Sequence, residues 1–279
     1  MSETRLVNKD GQSLFCRYWE PSDAPRGLVF VSHGAGEHSG RYEELAQTLL
    51  QCSLLLFSHD HVGHGQSDGS RMVVSDFQVY VRDCLQHTDL MRARHPTLPC
   101  FLLGHSMGGA ISILAAYERP NDFSGLVLIS PLIGLRADVA TPFRVMFTKA
   151  VNYFCPTCPG ASVSPSWLSR DPKEVKAYTL DPLVFHNYLS VRFVVQMLDA
   201  IARVQAAIPT ITWPFVVFQG SDDMLVDPAG AQLLHEQASS QDKTIQVFKE
   251  SYHVLHKELP EVRETVLNEI TEWITKRLA

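Results

Sequence analysis

The sequence predicts an α/β protein: a mostly parallel central sheet with helices on both faces and a helical cap inserted late in the chain. Three observations carry that expectation. Short, continuous apolar runs alternate with longer helix-like stretches through the first half, as doubly buried strands and their crossover helices do. A serine stands in the pattern G-x-S-x-G between one such run and one such helix. The alternation then stops between residues 132 and 212 and resumes to the end of the chain.

Each element has its own signal. Residues 14–19 predict an early strand, and residues 27–32 (Gly-Leu-Val-Phe-Val-Ser) a strand buried on both faces. Residues 42–50 read as a helix and 54–57 as another buried strand. Residues 76–94 are helical and stop at His95-Pro96. A strand over 99–103 runs into Gly104, a helix over 109–118 comes next, and Pro120 ends it. Residues 126–129 form the next strand, closed by Ser130-Pro131. In the interrupted stretch, 143–154 is apolar and helix-like. Prolines 156, 159, 165, 172 and 182 punctuate the chain beyond it, and 188–208 regains helical character. Strands return at 214–219 and 244–248, with a helix over 229–239 between them and a last amphipathic helix over 259–278. The expected division is a core of residues 1–131 and 213–279 and a cap of residues 132–212. The Phe, Leu, Val and Met of the cap suit a lid bordering an apolar channel.

The motif is Gly104-His105-Ser106-Met107-Gly108. A serine on a sharp strand-to-helix turn is the nucleophile elbow of the α/β-hydrolase fold, and the small residues around it let strand and helix approach. An acyl-transfer serine needs a base, and the base needs an acid to fix its tautomer. In this fold the order is Ser, Asp, His, with the partners in loops past strand ends. Asp223 lies in the loop after the strand 214–219, where Asp222 and Asp227 are alternatives. His253 comes after the strand 244–248, and His256 is the alternative base. The oxyanion donors should be the backbone N–H of Met107, at the start of the elbow helix, and that of Ala35 in the loop His33-Gly34-Ala35-Gly36-Glu37-His38. That loop lacks the G-K-[S/T] ending of a phosphate loop.

Other features point to no second chemistry. His59, His61 and His64 cluster among glycines, which suits hydrogen bonding within a tight loop better than a metal. No metal or organic cofactor is expected. Six cysteines in a chain with a large core are expected to be free thiols, including the C-x-x-C of Cys155 and Cys158. The net charge of −6 and the absence of a basic stripe argue against a nucleic-acid partner. The opening residues lack the basic and apolar regions of a secretory signal, and no run approaches a membrane span. The expected location is the cytoplasm.

Four strings resemble the monoglyceride (monoacylglycerol) lipase family of α/β-hydrolases. They are residues 30–42 (FVSHGAGEHSGRY), 59–67 (HDHVGHGQS), 102–110 (LLGHSMGGA) and 252–261 (YHVLHKELPE). The resemblance covers essentially the whole chain, most weakly over 135–188. It implies a triad of Ser106, Asp223 and His253, with oxyanion donors on Ala35 and Met107. It also implies a glycerol-holding polar end at Glu37, Arg41 and His256, with Tyr178 of the cap nearby. The family cleaves monoacylglycerols, including 2-arachidonoylglycerol, to fatty acid and glycerol, and its amphipathic cap touches membranes. Here the membrane face is expected around Val145, Phe147, Val151 and Phe154. Mammalian members carry cysteines in the cap and near the acid loop. The matching positions read Phe185, Arg192 and Val226, so control through those thiols is not expected. Two other readings compete: a lysophospholipase or broad long-chain carboxylesterase, and an inactive binding protein on a hydrolase fold. The second would require a damaged triad or oxyanion loop.

Overall fold

The structure is a computed structural model and describes residues 1–136 and 141–278. An eight-stranded sheet runs in the order β1(Ser2–Val7), β2(Ser13–Trp19), β4(Leu54–His59), β3(Gly27–Ser32), β5(Cys100–His105), β6(Gly125–Ile129), β9(Phe215–Gly220), β10(Lys243–Phe248). The pairs β1/β2 and β2/β4 are antiparallel, and the pairs from β4 through β10 are parallel. The crossover helices are α1(Glu43–Leu50), α2(Gln78–Arg94), α3(Met107–Glu118) and α7(Pro228–Gln237), and α8(Pro260–Thr275) follows the last strand.

The doubly apolar strand sequences have a direct reason. Alternate residues of one strand point to opposite faces. Leu28, Phe30, Leu102, Leu128 and Val217 join the core under α2 and α3. Val29, Val31, Phe101, Leu103, Val127, Ile129 and Val216 join the core under α1 and α8. Both faces are covered, so both alternations are apolar. The chain leaves β3 for β4 on one side and later returns to β5 on the other. The switch point therefore lies at the carboxyl ends of β3 and β5, where open α/β sheets bind ligands.

The segment after β6 holds α4(Pro142–Phe154), the small hairpin β7(Pro159–Ala161) and β8(Leu189–Ser190), α5(Pro172–Leu180) and α6(Val191–Ala207). Helix α6 lays Phe193, Ala200, Ile201 and Val204 into the main core against α3. Helix α4 buries no residue and rests on α6. Its exposed face carries Phe143, Met146, Phe147, Tyr153 and Phe154, whereas Val145 and Val151 are half-buried. The expected apolar face is thus rotated: two of its four residues point outward and two turn toward the protein.

One expectation is corrected. Cys155 and Cys158 are joined in a disulfide rather than left as free thiols, while Cys16, Cys52, Cys84 and Cys100 are free. A turn at the end of α4, with the Cys158 N–H donating to Cys155 O at 3.2 Å, brings the two Cα atoms to 5.5 Å. That separation lies within bonding range.

The histidines of the expected tight loop are buried and used in hydrogen bonds. His61 Nε2 meets Ser32 Oγ at 3.2 Å, His64 Nδ1 meets Val62 O at 3.0 Å, and His59 Nδ1 meets His87 Nδ1 at 3.2 Å. Burial holds His59 and His61 well below the ordinary imidazole range and lowers His64 and His87 to about 3. An unfolded histidine takes its proton near pH 6.5, so the unfolded chain binds more protons than the folded one below that value. Their contribution to stability is intact above pH 6.5 and is lost as pH falls from there toward 3. One pH unit below 6.5, each such histidine costs about 1.4 kcal/mol. Four cost roughly 6 kcal/mol, comparable with the whole stability of a domain. Melting monitored by circular dichroism should show Tm dropping by about 10 °C between neutrality and pH near 5.5. An unchanged Tm over that range would contradict this reading of the cluster.

Candidate active site

Ser106 stands between β5 and α3 with φ 54° and ψ −119°, a backbone region that a non-glycine residue rarely adopts. The strain is held from several sides. Ser106 N–H donates to Ile129 O of β6 at 3.0 Å, and its carbonyl accepts from Gly109, Ala110 and Leu132 N–H. The flanking glycines allow the close approach this requires. A Cβ on Gly104 would lie 2.4 Å from Gly108 O, and one on Gly108 would lie 2.0 Å from Ser32 O. Met107 opens α3, so its N–H has no acceptor within the helix and lies beside the serine.

The loops that carry Asp223 and His253 meet past the ends of β9 and β10. Asp223 is fully buried past β9. Its Oδ2 accepts from His253 Nδ1 at 2.7 Å and from Gln219 Nε2 at 3.0 Å. Its Oδ1 accepts from Leu225 N–H at 2.8 Å and Val226 N–H at 3.1 Å. Burial pushes the carboxyl upward, but His253 and these backbone donors outweigh it, and Asp223 sits below the usual carboxylate range. The alternatives are occupied elsewhere. Asp222 is exposed and accepts from Ser221 Oγ, and Asp227 caps α7 by accepting from Ala229 N–H. Among the described residues, His253 spends its Nδ1 on Asp223 and makes no side-chain hydrogen bond to Ser106. Such bonds often close only once substrate is bound.

The loop after β3 is braced by Glu37. Its Oε1 accepts from Gly34 N–H at 2.7 Å, Tyr42 OH at 2.5 Å and His105 Nδ1 at 3.1 Å. Its Oε2 lies 3.3 Å from Arg41 Nε. Burial raises the Glu37 carboxyl, but His105, Arg41 and Tyr42 outweigh that and hold it well below the ordinary range. The Arg41 guanidinium lies 5.0 Å from the Tyr178 ring of α5. His256 is buried and stacks on Tyr42 with ring centroids 5.0 Å apart. Neither of its ring nitrogens has a hydrogen-bond partner among the described residues, and burial, with His105 second, keeps it neutral. Glu37, Arg41, His256 and Tyr178 therefore form one cluster around Tyr42 and His105, the residue before Ser106, and Glu37 Oε1 is already committed within it.

A sequence profile of the serine aminopeptidase S33 family matches residues 23–260. The chain is 56% identical to the monoglyceride lipase of Rattus norvegicus over 98% of its own length and 90% of that protein. The chain belongs to the monoglyceride lipase family. It is also 41% identical to the monoglyceride lipase homolog of monkeypox virus, over the full length of both. The crystal structure of Paleococcus ferrophilus monoacylglycerol lipase superimposes with a TM-score of 0.84 at 30% identity, covering 95% of this chain and 99% of that one.

Against the monoglyceride lipase pattern, the three positions that read Phe185, Arg192 and Val226 have structural roles here. Phe185 N–H donates to Gly36 O at 2.8 Å, Arg192 Nε donates to Asn152 Oδ1 at 2.8 Å, and Val226 is buried beside the acid loop. Sequence reasoning missed several supports of this site. His105 and Tyr42 hold Glu37. Asp181 of the cap meets His38 Nε2 at 2.9 Å and lies 3.9 Å from Arg41 Nη1. His105 sat in plain view as the first variable residue of the elbow motif. Asp181 carried no local signal, because its partner is 143 residues away.

Proposed function

We propose that this chain hydrolyses monoacylglycerols to a fatty acid and glycerol through an acyl-enzyme on Ser106. The observation that carries the reading is the buried Asp223–His253 pair set beside a strained serine elbow, in a chain 56% identical to a monoglyceride lipase. His253 takes the Ser106 proton as its oxygen attacks the ester carbonyl, and Asp223 stabilises the imidazolium that forms. The N–H groups of Met107 and Ala35 hold the oxyanion. His253 then returns the proton to the departing glycerol oxygen, and water repeats the sequence to free the acid. Glu37, Arg41, His256 and Tyr178 receive the glycerol hydroxyls. The unpartnered nitrogens of His256 favour this, since they are buried and neutral and need hydroxyl partners. The donors for every step lie on this chain, so the reading invokes no cofactor.

The test is a hydrolysis panel of a 2-monoacylglycerol, the matching lysophosphatidylcholine and a triacylglycerol. The monoacylglycerol, 2-arachidonoylglycerol among such substrates, should have the highest kcat/KM. Each additional buried methylene is worth about 0.8 kcal/mol, so long acyl chains should exceed butyryl. Equal rates on the lysophospholipid would favour the broader lysophospholipase reading.

The described residues between 132 and 212 form the cap over this site and carry the surface that meets lipid. No helix of the described residues is long and apolar enough to cross a membrane. The outward Phe143, Met146, Phe147, Tyr153 and Phe154 of α4 can enter a headgroup layer without spanning it. The protein would then work from the cytoplasm as a peripheral visitor. The net charge of −6 makes attraction to anionic lipid a minor contribution. Flotation with neutral liposomes should recover the native chain and lose a Phe147→Ser/Phe154→Ser variant. Equal recovery of the two would remove α4 as the contact.

A further inference from the structure

The loop that carries His253 is fastened to the cap. Tyr252 N–H, on one side of His253, donates to Glu258 Oε1 at 3.0 Å. Val254 N–H, on the other side, donates to Leu168 O of the cap at 2.8 Å. Glu258 is fully buried, and its carboxylate gathers three further donors. These are Leu259 N–H at 2.8 Å, Arg170 N–H at 3.1 Å and Arg170 Nε at 3.1 Å. Arg170 Nη2 also donates to Ser251 Oγ at 3.1 Å. Ser169 Oγ donates to Lys257 O at 2.7 Å, and Lys257 Nζ meets Glu174 of α5 at 3.2 Å. An apolar cluster of Leu168, Tyr178 and Val184 from the cap takes in Val254.

The chemistry of this arrangement is specific. A buried carboxylate needs an opposite charge and full hydrogen bonding, or it does not stay charged and fixed. Here the charge comes from a cap arginine, and one of the carboxylate's four donors is the peptide next to His253. The second flanking peptide is held by a cap carbonyl. The backbone on either side of His253 is therefore anchored, and both anchors depend on residues 168–170.

We propose that Arg170 and Glu258 are positioning residues for the general base, so that the cap segment 168–170 completes the catalytic geometry as well as covering the substrate. The inference rests on the reading of His253 as the base. Both act through the loop of residues 251–259, to which their hydrogen bonds run. A displacement of about 1 Å at a reacting group can cost on the order of a hundredfold in rate. Truncating Arg170 releases Glu258 and with it the Tyr252 peptide.

The experiment uses the full chain with Arg170→Met, Arg170→Lys, Glu258→Gln and the Arg170→Met/Glu258→Gln double variant. Active sites are titrated with a fluorophosphonate, and kcat and KM on a 2-monoacylglycerol are taken per titrated site across pH. Arg170→Met and Glu258→Gln should each lower kcat by about tenfold or more while KM moves less than about twofold. The acid limb of the pH profile should shift in both. Arg170→Lys should recover part of the loss, because it restores the charge without the fork. The double variant should be no worse than the poorer single one, as expected of two residues acting as a unit. Unchanged kcat per titrated site, with only Tm lowered, would overturn the proposal. So would a loss confined to KM. A His253→Ala control separates the two readings. If it is inactive while Arg170→Met is normal, only this proposal falls. If it stays active, the assignment of the base falls first.

Discussion

Replacing Ser106 with alanine should leave a folded protein that has lost at least about a thousandfold in kcat, because no neighbouring side chain can form the acyl-enzyme. Folding should survive because the elbow is held by backbone contacts. Ser106 N–H and its carbonyl engage Ile129, Gly109, Ala110 and Leu132, and none of these bonds uses the hydroxyl. The strained φ of 54° remains for alanine, so a modest fall in Tm is expected. Purified Ser106→Ala protein that still hydrolysed a monoacylglycerol at a large fraction of the native rate would remove the serine from the mechanism.

Asp223→Asn should cost about ten-thousandfold in kcat with the fold intact. The reason lies in the donors around the carboxylate. The amide oxygen can still accept from Leu225 and Val226 N–H, but the amide nitrogen then faces His253 Nδ1 and Gln219 Nε2. His253 must move its proton to Nε2 to accept from that nitrogen, and Nε2 can then no longer take the proton of Ser106. Asp222→Asn should be close to native, since that carboxylate is exposed and, among the described residues, its side-chain hydrogen bond is to Ser221. The reverse ranking of the two variants would move the acid one residue back. Both comparisons need matched Tm values, so that a loss of rate is not a loss of folded protein.

How much of the fold is legible in the sequence depends on how local each signal is. The doubly buried strands β3, β5 and β6 announce themselves, because both of their alternating faces meet apolar neighbours. The elbow is legible because strand, glycines and helix lie within one short segment. β1 is not, since five of its six residues are exposed and it is held mainly by its ladder to β2. α5 is hidden by its own start signal. Pro172 looks like a break, but it occupies the first turn of a helix whose N-cap, Asp171, accepts from Lys173 N–H at 2.8 Å. The same device opens α4 after Thr141 and α7 after Asp227.

At the site, the choice among Asp222, Asp223 and Asp227 needed either the family resemblance or the folded loop. The three side chains differ in where the backbone points them, and spacing does not encode that. The Cys155–Cys158 bond was missed for a related reason: compartment and core size argue about averages, whereas pairing depends on one turn. Arg170 and Glu258 lie 88 residues apart, and charge complementarity at that separation has no sequence pattern.

If one serine carries the ester hydrolysis, glycerol release and chemical labelling of that serine must move together. Both can be read in one titration. Glycerol released from a 2-monoacylglycerol is measured as the protein is progressively labelled with a fluorophosphonate, and the adduct is counted and located by peptide mass spectrometry. Glycerol release should fall in proportion to labelling and reach zero at a single adduct per chain, with that adduct on Ser106. Full labelling of Ser106 with glycerol release intact, or complete inactivation with the adduct on another residue, would contradict the assignment.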